Sequence, residues 1–332
     1  MTSQSIHKPQ LNDAHPGVSV VIAVLNEEAN LAATIRSISQ QDYKGEVEII
    51  LALGPSTDKT NQVATALAKI DLRIKLIDNP SGKTPVGLNL AIANSKFDLI
   101  CRMDGHAEIS NTYISDAVRI LHETGAVNVG GVMNAQGSSI LQSTIASALK
   151  SRLGVGSARF HVGGFAGPSD TVYLGTFQKS ALVKAGGFDE NFSRAQDWEL
   201  NYRLRKNGGI VWFDPKLSVT YRPRTTLPDL ARQYFQYGKW RRTVSRKHKG
   251  TINMRYLMAP ILVLVLAISL LLTFLFGSTF LIPIVGYFLI LVIGSLFIGP
   301  KLLSKLLLPL VLATMHLSWG IGFLTAPKRL VK

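Results

Sequence analysis

Val18-Ser19-Val20-Val21-Ile22-Ala23-Val24-Leu25 is an apolar run of strand length, broken only by Ser19, and Asn26-Glu27-Glu28 ends it. A run this apolar predicts a strand buried on both faces. The stretch after it places Leu31, Ile35 and Ile38 on one helical face. Asn26 reads as the N-cap of that helix, with two acids in its first turn. The alternation then repeats. Val47 to Leu53 predicts a strand, Ser56-Thr57-Asp58 opens a helix to about Lys69, and Arg73 to Ile77 is a third strand. Thr84 to Ser95 is a helix and Phe97 to Met103 a fourth strand. The expected fold class is therefore α/β: a largely parallel sheet covered on both faces, with its site at the carboxyl ends of the strands. Asn26-Glu27, Gly54 to Asp58 and Asp104-Gly105-His106 all fall at such ends and should converge on one cleft.

The pattern then becomes mixed. Asn111 to Thr124 predicts a helix, Ala126 to Met133 a strand and Ser138 to Leu153 a helix. Gly154 to Asp170 is glycine-rich and aperiodic, the length of a functional loop. Thr171 to Gln178 returns as a strand, Gly186-Gly187-Phe188-Asp189-Glu190 is a turn, and Gln196 opens a helix to about Asn207. On that helix Asp197, Leu200 and Leu204 share a face, so Asp197 points with the apolar side and Glu199 is rotated away. Spacing alone leaves two roles open for Asp197, complementing the helix N-terminus or doing chemistry.

The C-terminal quarter changes character. Leu257 to Phe276 and Phe280 to Ile298 carry no charge and are long enough to cross a bilayer. Leu302 to Ala326 is a third candidate span, less regular at Lys305, Pro309, His316 and Trp319, with a re-entrant segment as its alternative. Just before them, Leu227 to about Lys247 reads as an amphipathic interfacial helix. The expected domains are a polar tail over 1–16, a catalytic domain over 17–225, the interfacial helix within 226–250 and a membrane region over 251–332. The tail lacks the apolar core of a secretory signal.

Charge fits this division. The chain of 332 residues carries a formal +15. Lys239, Arg241, Arg242, Arg246, Lys247, Lys249 and Arg255 precede the first span, which predicts a multi-pass membrane protein with a cytoplasmic catalytic domain. Lys301 and Lys305 agree; Lys328, Arg329 and Lys332 agree only if the third segment does not cross. Anionic lipid headgroups account for the cluster, and no nucleic-acid motif accompanies it, so membrane lipids are expected partners and nucleic acid is not. The single cysteine, Cys101, excludes an intrachain disulfide.

Asp104-Gly105-His106 is the first candidate for chemistry. A carboxylate and an imidazole two residues apart, with a glycine to turn the backbone, suit Mn2+ or Mg2+ completed by water and phosphate oxygens; Asp-Gly is also an ordinary turn. Gly82-Lys83-Thr84 looks like the end of a P-loop, but Ile77 stands where its first glycine belongs.

Taken together, these motifs resemble the family 2 glycosyltransferases, which have a GT-A, Rossmann-like fold. The matching pieces are Val20 to Glu28, Ser56-Thr57-Asp58, Gly82-Lys83-Thr84 with Asn89, Asp104-Gly105-His106, Gly186 to Glu190 and Gln196-Asp197-Trp198-Glu199, in family order over about 17 to 245. The resemblance is strongest to a membrane-anchored, succinoglycan-assembly subgroup. It implies a nucleotide-sugar transferase domain followed by transmembrane helices. Asp104 and His106 take the places of the Asp-x-Asp metal acids, and Asp197 that of the catalytic base, with Gln196 replacing a glutamate. Glu27 matches a nucleoside contact, and Asn26, Ser56, Asp58, Lys83 and Asn89 join Asp104 on the donor side. Gln236-Tyr237-Gly238-Lys239-Trp240 is similar to a Gln-x-x-Arg-Trp signature, which puts Gln236, Lys239, Trp240 and Arg241 on the acceptor or diphosphate side.

The implied reaction moves a sugar, with inversion, from a nucleotide diphosphate to a lipid-linked acceptor in polysaccharide or glycolipid synthesis. A polyprenyl-phosphate sugar synthase and a non-enzymatic scaffold are the alternatives. One departure concerns the donor. Leu53-Gly54-Pro55-Ser56 replaces the Asp-Asp-Gly-Ser whose aspartate reads the base, so a UDP-sugar is the first expectation and GDP- or dTDP-sugars stay open.

Overall fold

The computed structural model describes residues 15–328 and Leu330. The chain divides into a sheet unit, 15–134 with 163–221, and a helical unit, 135–162 with 222–330. Most of the tail expected over 1–16, and Arg329 and Lys332, lie outside the described residues.

The sheet unit runs β1 (Val18–Val24), α1 (Leu31–Ser39), β2 (Val47–Leu53), α2 (Thr60–Ile70), β3 (Ile74–Asp78), α3 (Thr84–Ala93), β4 (Leu99–Asp104), β5 (Glu108–Ile109), α4 (Tyr113–Thr124) and β6 (Asn128–Ala135). The chain continues into the helical unit through α5 (Ile140–Leu149), α6 (Arg152–Val155) and α7 (Arg159–Val162). It returns as β7 (Gly167–Pro168), β8 (Tyr173–Gln178), α8 (Lys179–Lys184), α9 (Gln196–Lys206) and β9 (Val211–Tyr221).

Among the described residues the strands form one sheet in the order β3-β2-β1-β4-β8-β6-β9-β5, with β7 also on β9. The first four are parallel, as their apolar runs predict. Their register sets Val24 beside Leu53, Leu53 beside Asp78 and Ala23 beside Asp104, so the loops that follow leave the sheet side by side. The expectation of a largely parallel sheet is corrected beyond β4, because β4–β8, β8–β6, β7–β9 and β5–β9 pair antiparallel. Strand β9 serves both apolar layers in turn, with Val211 and Phe213 buried in one and Leu217 and Val219 in the other, the switch falling at Asp214-Pro215-Lys216.

Two apolar layers enclose the sheet. One packs Leu31, Ile35, Ile38 and Ala64 with Ile114, Ala117, Ile120 and Leu121 of α4; the other packs Leu88, Ala91 and Ile92 of α3 with Leu182, Phe188, Leu200 and Leu204. Gly87 lets α3 ride close on the sheet, since a Cβ there would lie 2.7 Å from Asn79 Nδ2 and 3.0 Å from the Ala23 methyl. Cys101 is buried in the first layer, and burial pushes its thiol up to about 12, so it carries no reactive thiolate.

The helical unit adds α10 (Leu227–Lys247), α11 (Met254–Phe276), a 3-10 turn over Ser278–Leu281, α12 (Ile282–Ile298) and α13 (Leu302–Leu324). Three segments, Met254–Phe276, Ser278–Ile298 and Leu302–Leu324, are long and apolar enough to span a membrane. The third is the most enclosed. Gly238 of α10 meets the Trp319 carbonyl, Gly322 of α13 meets the Phe235 carbonyl, and His316 Nε2 lies 2.8 Å from the Leu153 carbonyl. The expected catalytic domain over 17–225 is interrupted, because residues 135–162 belong to this unit. Helix α5, opened by a Ser139/Gln142 capping box, is mostly apolar and buries Ile145, Ala146, Ala148 and Leu149, with α13 as a packing partner. The aperiodic stretch expected over 154–170 holds the end of α6, with α7 and β7.

Candidate functional site

The loops after β1 and β2 are laced together by polar side chains. Asn26 Oδ1 accepts from Thr57 N (2.8 Å), Ser56 Oγ from Asn26 N (3.1 Å), Thr60 Oγ1 from Glu27 N (2.7 Å) and Asp58 Oδ2 from Glu28 N (3.2 Å). Asp58 also holds Thr60, whose hydroxyl is the main reason its carboxyl lies below the usual aspartate range. Asn26 is not the N-cap expected for α1. It takes a left-handed turn at φ 56, a conformation asparagine tolerates, and α1 begins only at Leu31 with Asn30 before it and no acid in its first turn.

That turn carries Glu27 to Asp104-Gly105-His106. Glu27 Oε1 lies 2.7 Å from His106 Nδ1, and Glu27 Oε2 accepts from Asn30 Nδ2 at 3.1 Å. The motif's glycine provides space more than a hinge. Gly105 is outside the left-handed region, and a Cβ on it would come 2.8 Å from Glu27 Cγ. A carboxylate on Nδ1 fixes the ring orientation and favours the tautomer that leaves the Nε2 lone pair for a metal.

A second network reaches across the unit. Arg102 precedes Asp104 by two residues on the same strand face, and its Nη2 donates to Asp104 Oδ1 at 2.7 Å. Its Nη1 lies 3.3 Å from Asp197 Oδ2, at the first turn of α9. The Arg102 side chain is 4% exposed, whereas Asp104 and Asp197 keep 24% and 33%. Burial works against the guanidinium charge, but the two carboxylates outweigh it and hold Arg102 firmly protonated. The enclosing protein raises the Asp197 carboxyl above the usual aspartate range, with Arg102 opposing the shift and Asp104 adding to it.

Asp104, His106, Glu27 and Asp197 therefore lie on two linked networks of one unit. Among the described residues no cluster of three or more His, Cys, Asp or Glu side chains surrounds a metal position. Asp104 and His106 together fit a hard divalent ion whose remaining positions are filled by phosphate oxygens and water.

Other expected residues have different employment. The Asn89 amide holds the 186–190 turn, donating to the Phe188 carbonyl (2.8 Å) and Glu190 Oε1 (3.0 Å) and accepting from Phe188 N (2.8 Å), so it braces α3 against that turn. Glu199 is not turned to solvent. It is fully buried and held by Arg203, with Nε 2.8 Å and Nη2 2.6 Å from its oxygens, because an arginine one turn later neutralises it. Lys83 is exposed at the start of α3. Gln236, Lys239, Trp240 and Arg241 lie on α10 in the helical unit. Trp240 is buried there, and Arg241 rests 3.8 Å from the Tyr256 ring centre and donates to the Thr251 carbonyl. Where a base-reading carboxylate would stand, Gly54 and Gly82 approach Leu25 and Pro55, an apolar shelf. Arg102 itself carried no expectation; a charge inside an otherwise apolar strand was its signal.

Residues 19–168 match the family described as Glycosyl transferase family 2. The chain is 30% identical to the succinoglycan biosynthesis protein ExoA of Rhizobium meliloti over 92% of its own length and 93% of that protein's. The chain is a family 2 glycosyltransferase. A second relative of the transferase is a Methanococcus voltae enzyme, dolichyl N-acetyl-alpha-D-glucosaminyl phosphate 3-beta-D-2,3-diacetamido-2,3-dideoxy-beta-D-glucuronosyltransferase, 26% identical over 77% of this chain and 81% of that one. The GT-A fold is shared with the mannosyltransferase PcManGT of Pyrobaculum calidifontis, solved in complex with GDP-Man and Mn2+. Its TM-score is 0.66 at 16% identity, covering 94% of this chain and 88% of that one.

Proposed function

We propose that this transferase moves a sugar, with inversion, from a nucleoside diphosphate to a lipid-linked saccharide, using Asp197 as general base and a divalent metal held by Asp104 and His106. The observation that carries the reading is the Arg102 bridge, which ties the acid at the end of β4 to the acid at the start of α9. The Asp197 carboxylate takes the proton from the acceptor hydroxyl while that oxygen attacks the anomeric carbon. The bond from that carbon to the diphosphate breaks on the opposite face, so configuration inverts. Bound Mn2+ or Mg2+ supplies neutralisation of the leaving diphosphate. Glu27 keeps the His106 ring oriented for that ion. The raised Asp197 carboxyl suits a base, since a more basic oxygen accepts the proton more readily.

The lipid-linked acceptor is supported by the three apolar helices and by the dolichyl N-acetyl-alpha-D-glucosaminyl phosphate in the name of the Methanococcus relative. Basic residues before α11, Lys301 between α12 and α13, and Lys305 in the first turn of α13 support a multi-pass membrane protein with a cytoplasmic sheet unit. The test has two parts. A thermal-shift screen of UDP-, GDP- and dTDP-sugars with Mn2+ or Mg2+ should select one donor by mass action. Asp197→Asn should then lower transfer from that donor by about two to four orders of magnitude while the donor still shifts its melting at saturating metal; transfer near the wild-type rate would remove the base assignment.

A further inference from the structure

A buried arginine is costly, because its charge leaves water and each of its nitrogens needs a partner. Arg102 bears that cost incompletely: Nε is shielded from solvent and has no hydrogen-bond partner among the described residues. An apolar side chain of similar length would pack beside Val21 and Ile100 of the second apolar layer with no such penalty. Asp104 and Asp197 do not need the arginine for solvation either, since both keep part of their side chains in contact with water. What a guanidinium does here, and an apolar chain cannot, is hold two acids from distant parts of the chain with one rigid fork.

We propose that Arg102 is a positioning residue that couples the donor side of the site to the base: its guanidinium fixes the Asp104 carboxylate, which meets the donor diphosphate and its metal, relative to the Asp197 carboxylate, which meets the acceptor. The proposal rests on the roles given above to Asp104 and Asp197. Its physical content has a sign. The charge that holds Asp104 also repels a second cation from it, so Arg102 orders the site at the expense of metal affinity. An arginine that merely stabilised the fold would do the reverse, and its loss would weaken metal binding and rate together.

The experiment uses the full-length protein in detergent. Mn2+ alone is titrated and followed by the loss of its free-ion EPR signal in wild type, Arg102→Met and Arg102→Lys. Arg102→Met should bind Mn2+ on the order of tenfold more tightly. Its kcat with the donor selected by thermal shift should fall about a hundredfold, the effect of misplacing a reacting group by an ångström, with donor KM changed far less. Arg102→Lys keeps the charge but not the fork, so its Mn2+ affinity should stay near wild type while its rate stays low. Mn2+ binding by Arg102→Met that is equal, weaker or undetectable in both proteins overturns the coupling, as does an undiminished kcat. If Arg102→Met does not fold, Asp197→Asn carries the test. It leaves the guanidinium to Asp104 alone and should weaken Mn2+ binding severalfold; unchanged binding overturns the proposal. Asp104→Ala separates the two readings. Mn2+ binding that survives it removes the metal assignment, and the kcat arm then judges the coupling by itself.

Discussion

The two units use charge in opposite ways. Residues 1–134 with 163–221 have 18 lysines and arginines against 20 acids, and four of the arginines meet carboxylates: Arg102 with Asp104 and Asp197, Arg203 with Glu199, Arg73 with Asp71, Arg119 with Asp116 and Glu123. Residues 135–162 with 222–332, which include the helical unit, have 18 lysines and arginines against one acid, Asp229, which is engaged by Thr226 and Arg232. Four of its arginines turn to rings and backbone carbonyls. Arg241 and Arg255 both lie against Tyr256, Arg242 lies over Phe323, and Arg246 donates to the Ala326 carbonyl. The chain's +15 is thus entirely a property of the helical unit. A nearly neutral unit can hold acids at chosen places for chemistry. A unit with almost no acids of its own is suited to anions supplied from outside, as at a lipid surface.

The contrast can be broken at its strongest point first. Asp197→Asn should lower transfer by about two to four orders of magnitude, the range for loss of a general base, while circular dichroism stays unchanged. Next comes Arg203→Ala, which strands Glu199 as a buried charge. It should cost the sheet unit about 3–5 kcal/mol, read by urea denaturation, and a loss below 1 kcal/mol would show that Glu199 does not depend on the pair. Gly322→Val drives a side chain into the Phe235 carbonyl and should cost the helical unit about 1–3 kcal/mol in detergent. If it also erases the nucleotide-induced shift of the sheet unit, the two units are not energetically separate. The pH profile sharpens the account of Asp197. Its carboxyl is raised, so the base form is lost at a higher pH than for an ordinary aspartate. The acid limb of kcat/KM should therefore lie above 3.8, and should not move in Glu199→Gln. The smallest effect belongs to the charge surplus. Lys247→Glu with Lys249→Glu should reduce the extra stability conferred by anionic over zwitterionic lipid by about 1 kcal/mol per residue, and salt should reduce it further.

Much of this architecture was legible in the sequence because one physical signal dominated each stretch. The first four strands are nearly unbroken apolar runs, α10 spans the expected Leu227 to Lys247, and the three apolar helices exceed bilayer length. Strand β9 escaped notice because Asp214-Pro215-Lys216 interrupts its alternation. The burial of Glu199 was not legible because helical spacing describes faces and not partners, and Arg203 one turn later makes that burial tolerable. Asn89 and Phe188 are 99 residues apart, so no local pattern could reveal that the asparagine braces a turn. Asp104, His106 and Asp197 were found as separate motifs; what was missing was the side chain between them, which resembles an oddity of β4 until α9 is in place.

The excursion through α5 sets a problem of timing. Helix α5 ends at Leu149 and its partner α13 begins at Leu302, about 150 residues later. At roughly 5–20 residues per second, a ribosome leaves the apolar face of α5 without that partner for about 8–30 s. For that interval a nascent chain depends on a chaperone, the bilayer surface or a temporary neighbour to cover Ile145, Ala148 and Leu149.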